Sequence, residues 1–127
     1  MHKIAIETKA RDAMISISSE VQIAVDKLGV KDGSVTVYCP HTTAGVIINE
    51  SDDPAVQKDI LKRLNDLVPF NLEYAHTEGN SDSHIKSVLV GNSVQVFVEA
   101  GKIQLGEWQE IYFCEFDGPR KREIWVK

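Results

Sequence analysis

The order of segments along the chain predicts an α+β fold: a mainly antiparallel sheet or sandwich with two or three helices. Short alternating strands come first, helical and extended segments follow, and the last third is extended throughout. Strands joined by short turns pair antiparallel, whereas parallel pairs need long crossovers. The 127 residues are interpreted as one domain, 1–127, long enough to bury a core without disulfides.

The first third of the chain contains two strands, a helix and a third strand. Two apolar–polar alternations predict strands around residues 2–8 and 13–18. The apolar period then becomes helical, with Ser18 or Ser19 as a possible cap and Gly29 as a left-handed end. The next strand carries its apolar face on Val35, Val37 and Cys39.

Two helices are predicted in the middle of the chain. Asp53 is a good cap for the first, and Pro54 suits its first position. Its buried stripe is predicted to contain Val56, Ile60, Leu61, Leu64, Leu67 and Val68. A polar loop follows, and then a shorter helix with Ile85, Val88 and Leu89 predicted to face inward.

Four strands complete the chain, in the segments "SVQVFVEAG", "KIQLGEW", "QEIYFCEF" and "KREIWVK". Glycine-containing turns separate them. The "IYFCEF" run is apolar at both alternating positions, which predicts a strand in the interior of a sheet or against a second layer.

The composition excludes some classes of function. Fourteen basic against nineteen acidic residues give a net charge of −5, which argues against general nucleic-acid binding. No apolar run approaches the ~20 residues of a membrane span, and the N-terminus has no apolar signal segment. Cys39 and Cys114 are interpreted as buried core residues. We expect a cytoplasmic protein without a membrane or nucleic-acid partner.

Histidines mark the candidate chemistry. His41 lies between two apolar strands, and the segment "HTEGNSDSH" holds His76, Glu78, Asn80, Asp82 and His84 within nine residues. Imidazoles and carboxylates at this density suit a divalent metal or an acid/base pair. The alternative is that Asn80 to Ser83 are ordinary helix caps and that the loop is polar by composition alone.

Two further segments leave alternatives open. Trp108 and Gln109 follow a glycine between two strands. One interpretation is that Trp108 stacks on a ring of the ligand while the amide of Gln109 forms a hydrogen bond beside it. The other is that Trp108 is a core indole at a corner of the sheet. Arg120, Lys121 and Arg122 follow a tight turn. Their default interpretation is a solvated edge strand, and the alternative is a phosphate clamp.

Taken together, three segments resemble the YjbQ family: "HTTAGVIINES", "HTEGNSDSHIKSVLVG" and "GEWQEIYFCEFDGPRKRE". One position departs from the family pattern, since Glu107 stands where threonine is usual. The resemblance implies a homotrimer with polar clefts near subunit boundaries. It also implies a thiamine-phosphate synthase activity, regarded in the family as secondary, which joins a hydroxymethylpyrimidine pyrophosphate to a thiazole phosphate and releases pyrophosphate.

The resemblance also implies the site. Its catalytic residues are predicted to be His41, Glu50, Asp82 and His84. Its substrate-binding residues are predicted to be Asn80, Trp108, Gln109 and Arg120. A divalent metal ion, zinc or magnesium, is expected on His41, His76 and His84.

Two other functions remain open. One is a metal-dependent hydrolase of a small phosphorylated metabolite. The other is a trimeric protein that binds a metabolite or metal without turning it over.

Overall fold

The computed structural model describes residues 1–127 and contains eight strands and three helices. In chain order they are β1 (His2–Glu7), β2 (Ala13–Ser16), α1 (Ser18–Leu28), β3 (Gly33–Tyr38), β4 (Ala44–Glu50), α2 (Pro54–Leu67), α3 (Ser81–Val90), β5 (Ser93–Glu99), β6 (Lys102–Gln104), β7 (Gln109–Glu115) and β8 (Lys121–Val126). None of the three helices has the length and apolarity needed to cross a membrane.

The strands form two antiparallel sheets. The larger has the order β1-β8-β3-β5-β6, and the smaller has the order β2-β7-β4. Strand β7 is therefore central in its sheet, as its two apolar faces predict. In the smaller sheet Ala44 pairs with Glu115 at one end, and Glu50 pairs with Gln109 at the other.

The main core fills the space between the two sheets, and α1 contacts strands of both. Seventeen buried residues form it, among them Val37, Val46, Phe113 and Val126. Cys39 is also part of this core, so the prediction that it is buried is confirmed. Burial of this apolar surface is the main term that stabilises the fold.

A third layer covers the outer face of the smaller sheet. Tyr112, Cys114 and Phe116 point out of that face, where Leu61 and Leu64 of α2 pack against them together with Val90 of α3. Cys114, like Cys39, is a free buried thiol, as predicted. The layers are thus sheet, sheet and helices, which confirms the predicted α+β class.

The ends of α1 and α2 follow from local sequence with one exception. Asp53 caps α2 by accepting a hydrogen bond from the N–H of Ala55 over 2.9 Å, as predicted. Gly29 ends α1 with a φ of 71°. The exception is the start of α1, where Ser18 does not cap the helix and its hydroxyl instead accepts the N–H of Ile111.

The predicted orientation of α3 is wrong. Its buried residues are Asp82, Ser83, Lys86 and Ser87. The apolar residues Ile85, Val88 and Leu89 are 40%, 83% and 57% exposed. The polar face can be buried because each of its side chains is hydrogen-bonded to a residue outside α3.

The buried stripe of α2 is also only partly as predicted. Val68, just past the end of the helix, is buried, and Leu61 and Leu64 pack against the sheet. Leu67, in contrast, is 74% exposed. With Phe70, Leu72 and the outer side of α3, it makes the helical layer apolar on its outside as well.

Candidate functional site

Two cavities meet at one end of the smaller sheet. They have volumes of about 400 Å³ and about 370 Å³, and His41, Thr42 and His84 line both. His41 and Thr42 lie just before β4, and His84 lies in the first turns of α3. We call the first, which extends along α3 to Gly91 and Asn92, the helix cavity. The second, which contains Arg120 and Arg122 and is lined mostly by polar side chains, is the arginine cavity.

The ring of His41 replaces a strand partner. Continuing the register of β3 and β8 beyond Tyr38 and Trp125 would place Pro40 opposite Glu123. Proline has no N–H and cannot complete that pair. Instead the N–H of Glu123 donates to Nε2 of His41 over 2.9 Å, and the Glu123 carbonyl lies 3.1 Å from the same atom. The imidazole is therefore fixed at the cavity wall by main-chain groups.

The same environment disfavours the charged form of His41. Burial lowers its pKa first, and the positive charge of Arg122 lowers it further, against an opposing contact with Glu123. Near neutral pH the ring is therefore uncharged. An uncharged imidazole whose Nε2 accepts an N–H carries its proton on Nδ1.

His76 and His84 form a second pair. Their rings are T-shaped with centroids 5.4 Å apart, and both line a third cavity of about 430 Å³ together with Tyr74 and Ile85. Nε2 of His76 lies 3.7 Å from a carboxylate oxygen of Glu78. His84 thus lies between His41 and His76, and it shares a cavity with each.

The three predicted metal ligands do not come together within one chain. No group of three or more His, Cys, Asp or Glu side chains is close enough to hold an ion. Nε2 of His41 is in addition bonded to the main chain of Glu123. The residues of a single chain therefore do not fit a divalent metal, and no chemical step is assigned to one.

A buried ion pair stands behind the arginine cavity. Glu115 is 0% exposed and Arg122 is 8% exposed. Nε of Arg122 donates to Oε1 of Glu115 over 2.9 Å, and Nη2 donates to Oε2 over 2.5 Å. The default expectation of a solvated edge strand is therefore wrong for Arg122, because β8 lies between β1 and β3.

Asn80 and Arg120 meet in the same cavity at Asp117. The amide nitrogen of Asn80 donates to Oδ2 of Asp117 over 2.9 Å, and Nη2 of Arg120 donates to that oxygen over 2.9 Å. Asn80 precedes α3 but does not cap it with its side chain. Its Oδ1 is enclosed and has no hydrogen-bond partner in the chain. This oxygen is an unused acceptor beside the cavity.

Asp82 is not brought to the cavities. Arg11 donates to both of its carboxylate oxygens, and Nζ of Lys86 lies 3.0 Å from Oδ2. Burial by itself raises the pKa of Asp82, but the hydrogen bonds from Arg11 and Lys86 outweigh it and lower the pKa overall. Lys86 also bonds to Asn65 of α2. The network fixes α3 against α2 and the segment before β2.

Three predicted site residues lie at the opposite end of the smaller sheet. Glu50 and Gln109 are paired there, six residues along the strands from the Ala44–Glu115 pair, which corresponds to about 20 Å. Trp108 is 53% exposed, so it is not a core indole. Oε1 of Gln109 accepts the N–H of Gly106 and closes its own turn. Within one chain these residues do not contact the His41 cavities.

A nucleophilic pair of Cys39 and His41 is not supported by the geometry. Cys39 is 1% exposed, and its sulfur faces the carbonyl of His41 at 3.9 Å. Burial raises the pKa of the Cys39 thiol, which keeps it protonated at neutral pH.

Sequence reasoning did not predict the Glu115–Arg122 pair, although a signal was present. Arg122 alternates with Ile124 and Val126, and Glu115 alternates with Phe113. Both charges therefore lie on the core faces of their strands. Opposite charges on two core-facing strands indicate a buried pair.

The fold and cavities define a class of small α+β proteins: two antiparallel sheets, a helical layer and a polar cavity lined by histidine and arginine. The chain belongs to the YjbQ family, because the family model described as "UPF0047 protein YjbQ-like" matches residues 2–127.

Individual relatives agree with this assignment. The UPF0047 protein YugU of Bacillus subtilis is 49% identical over 125 residues, covering 98% of this chain and 95% of the relative. A UPF0047 protein of Methanocaldococcus jannaschii is 48% identical over 127 residues, covering 100% of this chain and 92% of the relative.

Solved structures show the same fold. A conserved YjbQ/UPF0047 family protein of Clostridium acetobutylicum superimposes with a TM-score of 0.97 at 50% identity, over 100% of this chain and 98% of that one. A conserved hypothetical protein of Thermus thermophilus gives a TM-score of 0.93 at 37% identity, over 100% of this chain and 98% of that one.

Proposed function

We propose that the protein is a cytoplasmic transferase that acts on small phosphorylated heteroaromatic substrates, with thiamine-phosphate synthesis as a secondary activity. The observation that carries the proposal is the meeting of two cavities at His41, Thr42 and His84. A transfer between two substrates requires two adjacent binding spaces with polar groups at their boundary.

The lining of the arginine cavity supports a reaction that releases a diphosphate. The thiazole nitrogen attacks the methylene carbon of the pyrimidine, the carbon–oxygen bond to the diphosphate breaks, and pyrophosphate leaves with its electrons. Arg120 and Arg122 line the arginine cavity, where they would bind the leaving diphosphate. His84, at the boundary, would donate a hydrogen bond or proton to its departing oxygen.

The homotrimer is part of the same proposal. The outer side of α3 is apolar and exposed; Val88 lines the helix cavity, and Ile85 lines the third cavity. Exposed apolar surface of this kind is typical of subunit interfaces. A neighbouring subunit would also be needed for Trp108 to stack on a substrate in the His41 cavities. Light scattering coupled to gel filtration measures the subunit number directly.

A divalent metal, zinc or magnesium, stays a prediction for the assembled protein, and elemental analysis of purified protein tests it. If subunits contribute ligands to a common ion, the metal content should be less than or equal to one ion per chain. It should fall in a His84→Gln variant.

The reaction is tested by incubating the protein with both substrates and measuring thiamine phosphate and released pyrophosphate. We expect His84→Gln to lower the rate by about 100-fold, the lower range for a lost general acid. His2→Gln, which changes a histidine at the start of β1, is the matched control and should leave the rate unchanged. Equal rates in the two variants contradict the role of His84.

Two outcomes would support the alternatives. Hydrolysis of generic phosphate esters without thiamine phosphate formation supports a hydrolase. Absence of both reactions, with a melting temperature that rises with pyrophosphate concentration, supports a binding protein that does not turn its ligand over.

A further inference from the structure

Arg122 is the buried arginine in the wall of the arginine cavity. It is 8% exposed, whereas the side chain of Arg120 in the same wall is 52% exposed. A guanidinium that has lost most of its water requires hydrogen bonds from the protein or from a ligand.

Three of the five N–H groups of Arg122 are used within the chain. Nε and Nη2 donate to the two oxygens of Glu115, and Nη2 also donates to Oγ1 of Thr43 over 2.8 Å. Nη1 has no hydrogen bond to any group of the chain. It is not an enclosed atom either, since the enclosed unpartnered atoms are Oδ1 of Asp12 and Oδ1 of Asn80. The Nη1 edge therefore faces open space at the cavity.

The guanidinium cannot readily turn away from this position. Glu115, which holds it, also accepts the hydroxyl of Thr8 over 2.7 Å and the N–H groups of Phe116 and Asp117 over 3.1 and 3.2 Å. With both oxygens occupied, the carboxylate is fixed, and it fixes the plane of the guanidinium. Nη1 is thus oriented before any ligand arrives.

We infer that the Nη1 edge of Arg122 is the subsite for the phosphoryl oxygens of the substrate, in preference to Arg120. The inference rests on the proposed phosphorylated substrate. Both N–H groups of Nη1 are unused, and charged N–H donors form strong hydrogen bonds with phosphoryl oxygens. Arg120 is less suitable, because it is exposed and its Nε and Nη2 are bonded to Asp117.

The rest of the wall is compatible with an anion. Asp117 is paired with Arg120, and Glu78 lies 3.7 Å from His76. The hydroxyl-bearing Thr42 and the imidazole of His84 add polar groups to the same cavity. A phosphoryl group can accept from several donors at once, which suits this wall.

The test measures binding of inorganic pyrophosphate by isothermal titration calorimetry at fixed ionic strength. Arg122→Lys retains the charge beside Glu115 but removes Nη1. We expect at least a tenfold increase in Kd for Arg122→Lys. For Arg120→Lys in the same cavity we expect a smaller increase than for Arg122→Lys. For Lys121→Gln, on the exposed side of β8, we expect less than a threefold increase.

Equal affinity of Arg122→Lys and the wild type, or a larger loss in Arg120→Lys, overturns the inference. If Arg122→Lys does not fold, arginine side-chain NMR of the wild type replaces it. Pyrophosphate should then shift the Nη signals of Arg122, and an unchanged spectrum overturns the inference.

The subsite at Arg122 and the proposed synthase activity can be tested independently of each other. Arg122-dependent binding of pyrophosphate without thiamine phosphate formation supports the subsite and contradicts the proposed activity. Full synthase activity in Arg122→Lys overturns the subsite and supports the activity.

Discussion

The regions around the two ends of the smaller sheet both contain predicted site residues but differ in how their side chains are held. At the His41 end, Glu115 and Arg122 are buried and paired, and His41 is bonded to the main chain. At the other end, Trp108 is exposed and Gln109 bonds within its own turn. Substitutions at the His41 end should therefore change both the stability of the fold and the geometry of the cavities. Substitutions at the Trp108 end should have little effect on the fold.

The largest effect is expected for Glu115→Ala. It leaves the buried guanidinium of Arg122 without its counter-charge and should lower the free energy of unfolding by about 3–5 kcal/mol. Glu110→Ala, on the same strand at the opposite end, is the matched control, because Glu110 makes only an exposed contact with Ser16. Chemical denaturation measures both. Equal losses would show that the two ends do not differ in this way.

A smaller but clear loss is expected for Gly45→Ala. A Cβ at Gly45 would lie 2.4 Å from a methyl carbon of Val90 and 2.6 Å from the carbonyl oxygen of Gly91. The end of α3 would have to move, at a cost of about 1–3 kcal/mol. Gly106→Ala is the control at the other end, since its Cβ would lie no closer than 3.2 Å to any atom, the nearest being Oε1 of Gln109. A neutral Gly45→Ala would mean that α3 is not packed closely on β4.

A pH-dependent effect is expected from His41. Its pKa is lowered from 6.5 in the folded chain, chiefly by burial. As the pH falls, His41 is therefore protonated at a higher pH in the unfolded chain than in the folded chain. The contribution of His41 to stability is complete above pH 6.5 and is lost as the pH falls through its folded pKa. Denaturation from about pH 7.5 to about pH 5 should show a shallower loss in His41→Gln than in the wild type. His2→Gln, the control, should lose stability with falling pH as steeply as the wild type. If His41→Gln also loses stability as steeply as the wild type, the buried environment described for His41 is contradicted.

The smallest effect on stability is expected for Trp108→Ala. Because the indole is 53% exposed, its removal should change the free energy of unfolding by less than about 0.5 kcal/mol. If Trp108 stacks on a substrate in a neighbouring subunit, the same variant should raise KM while the melting temperature stays constant. A loss of several degrees would instead place the indole in a structural role.

The sequence predicted the fold well because its strands have strong local signals. Alternation at Val35 and Val37, the cap at Asp53 and the two apolar faces of β7 each have one simple structural solution. The orientation of α3 could not be predicted in the same way. Its apolar and polar stripes both have helical spacing, and only the hydrogen bonds of Ser83, Lys86 and Ser87 to distant segments decide which is buried.

The candidate site was predicted in part. His41 and His84 were predicted together, and they do line common cavities. Glu50 was assigned to the same site, although the seven-residue strand β4 holds it about 20 Å from Ala44, which lies at the His41 end of the strand. That separation can be calculated from the sequence once β4 is recognised. Whether another subunit closes the gap depends on packing between chains, which local patterns do not encode.

The bond between His41 and Glu123 also makes the imidazole a reporter of strand alignment. A slip of β8 by one residue would carry the N–H of Glu123 away from the ring and turn Arg122 out of the core. The nitrogen NMR resonance of Nε2 should therefore follow the pairing of β8 during denaturation. Correct pairing of β8 in the sheet and correct placement of His41 and Arg122 in the cavity wall should therefore occur together during folding.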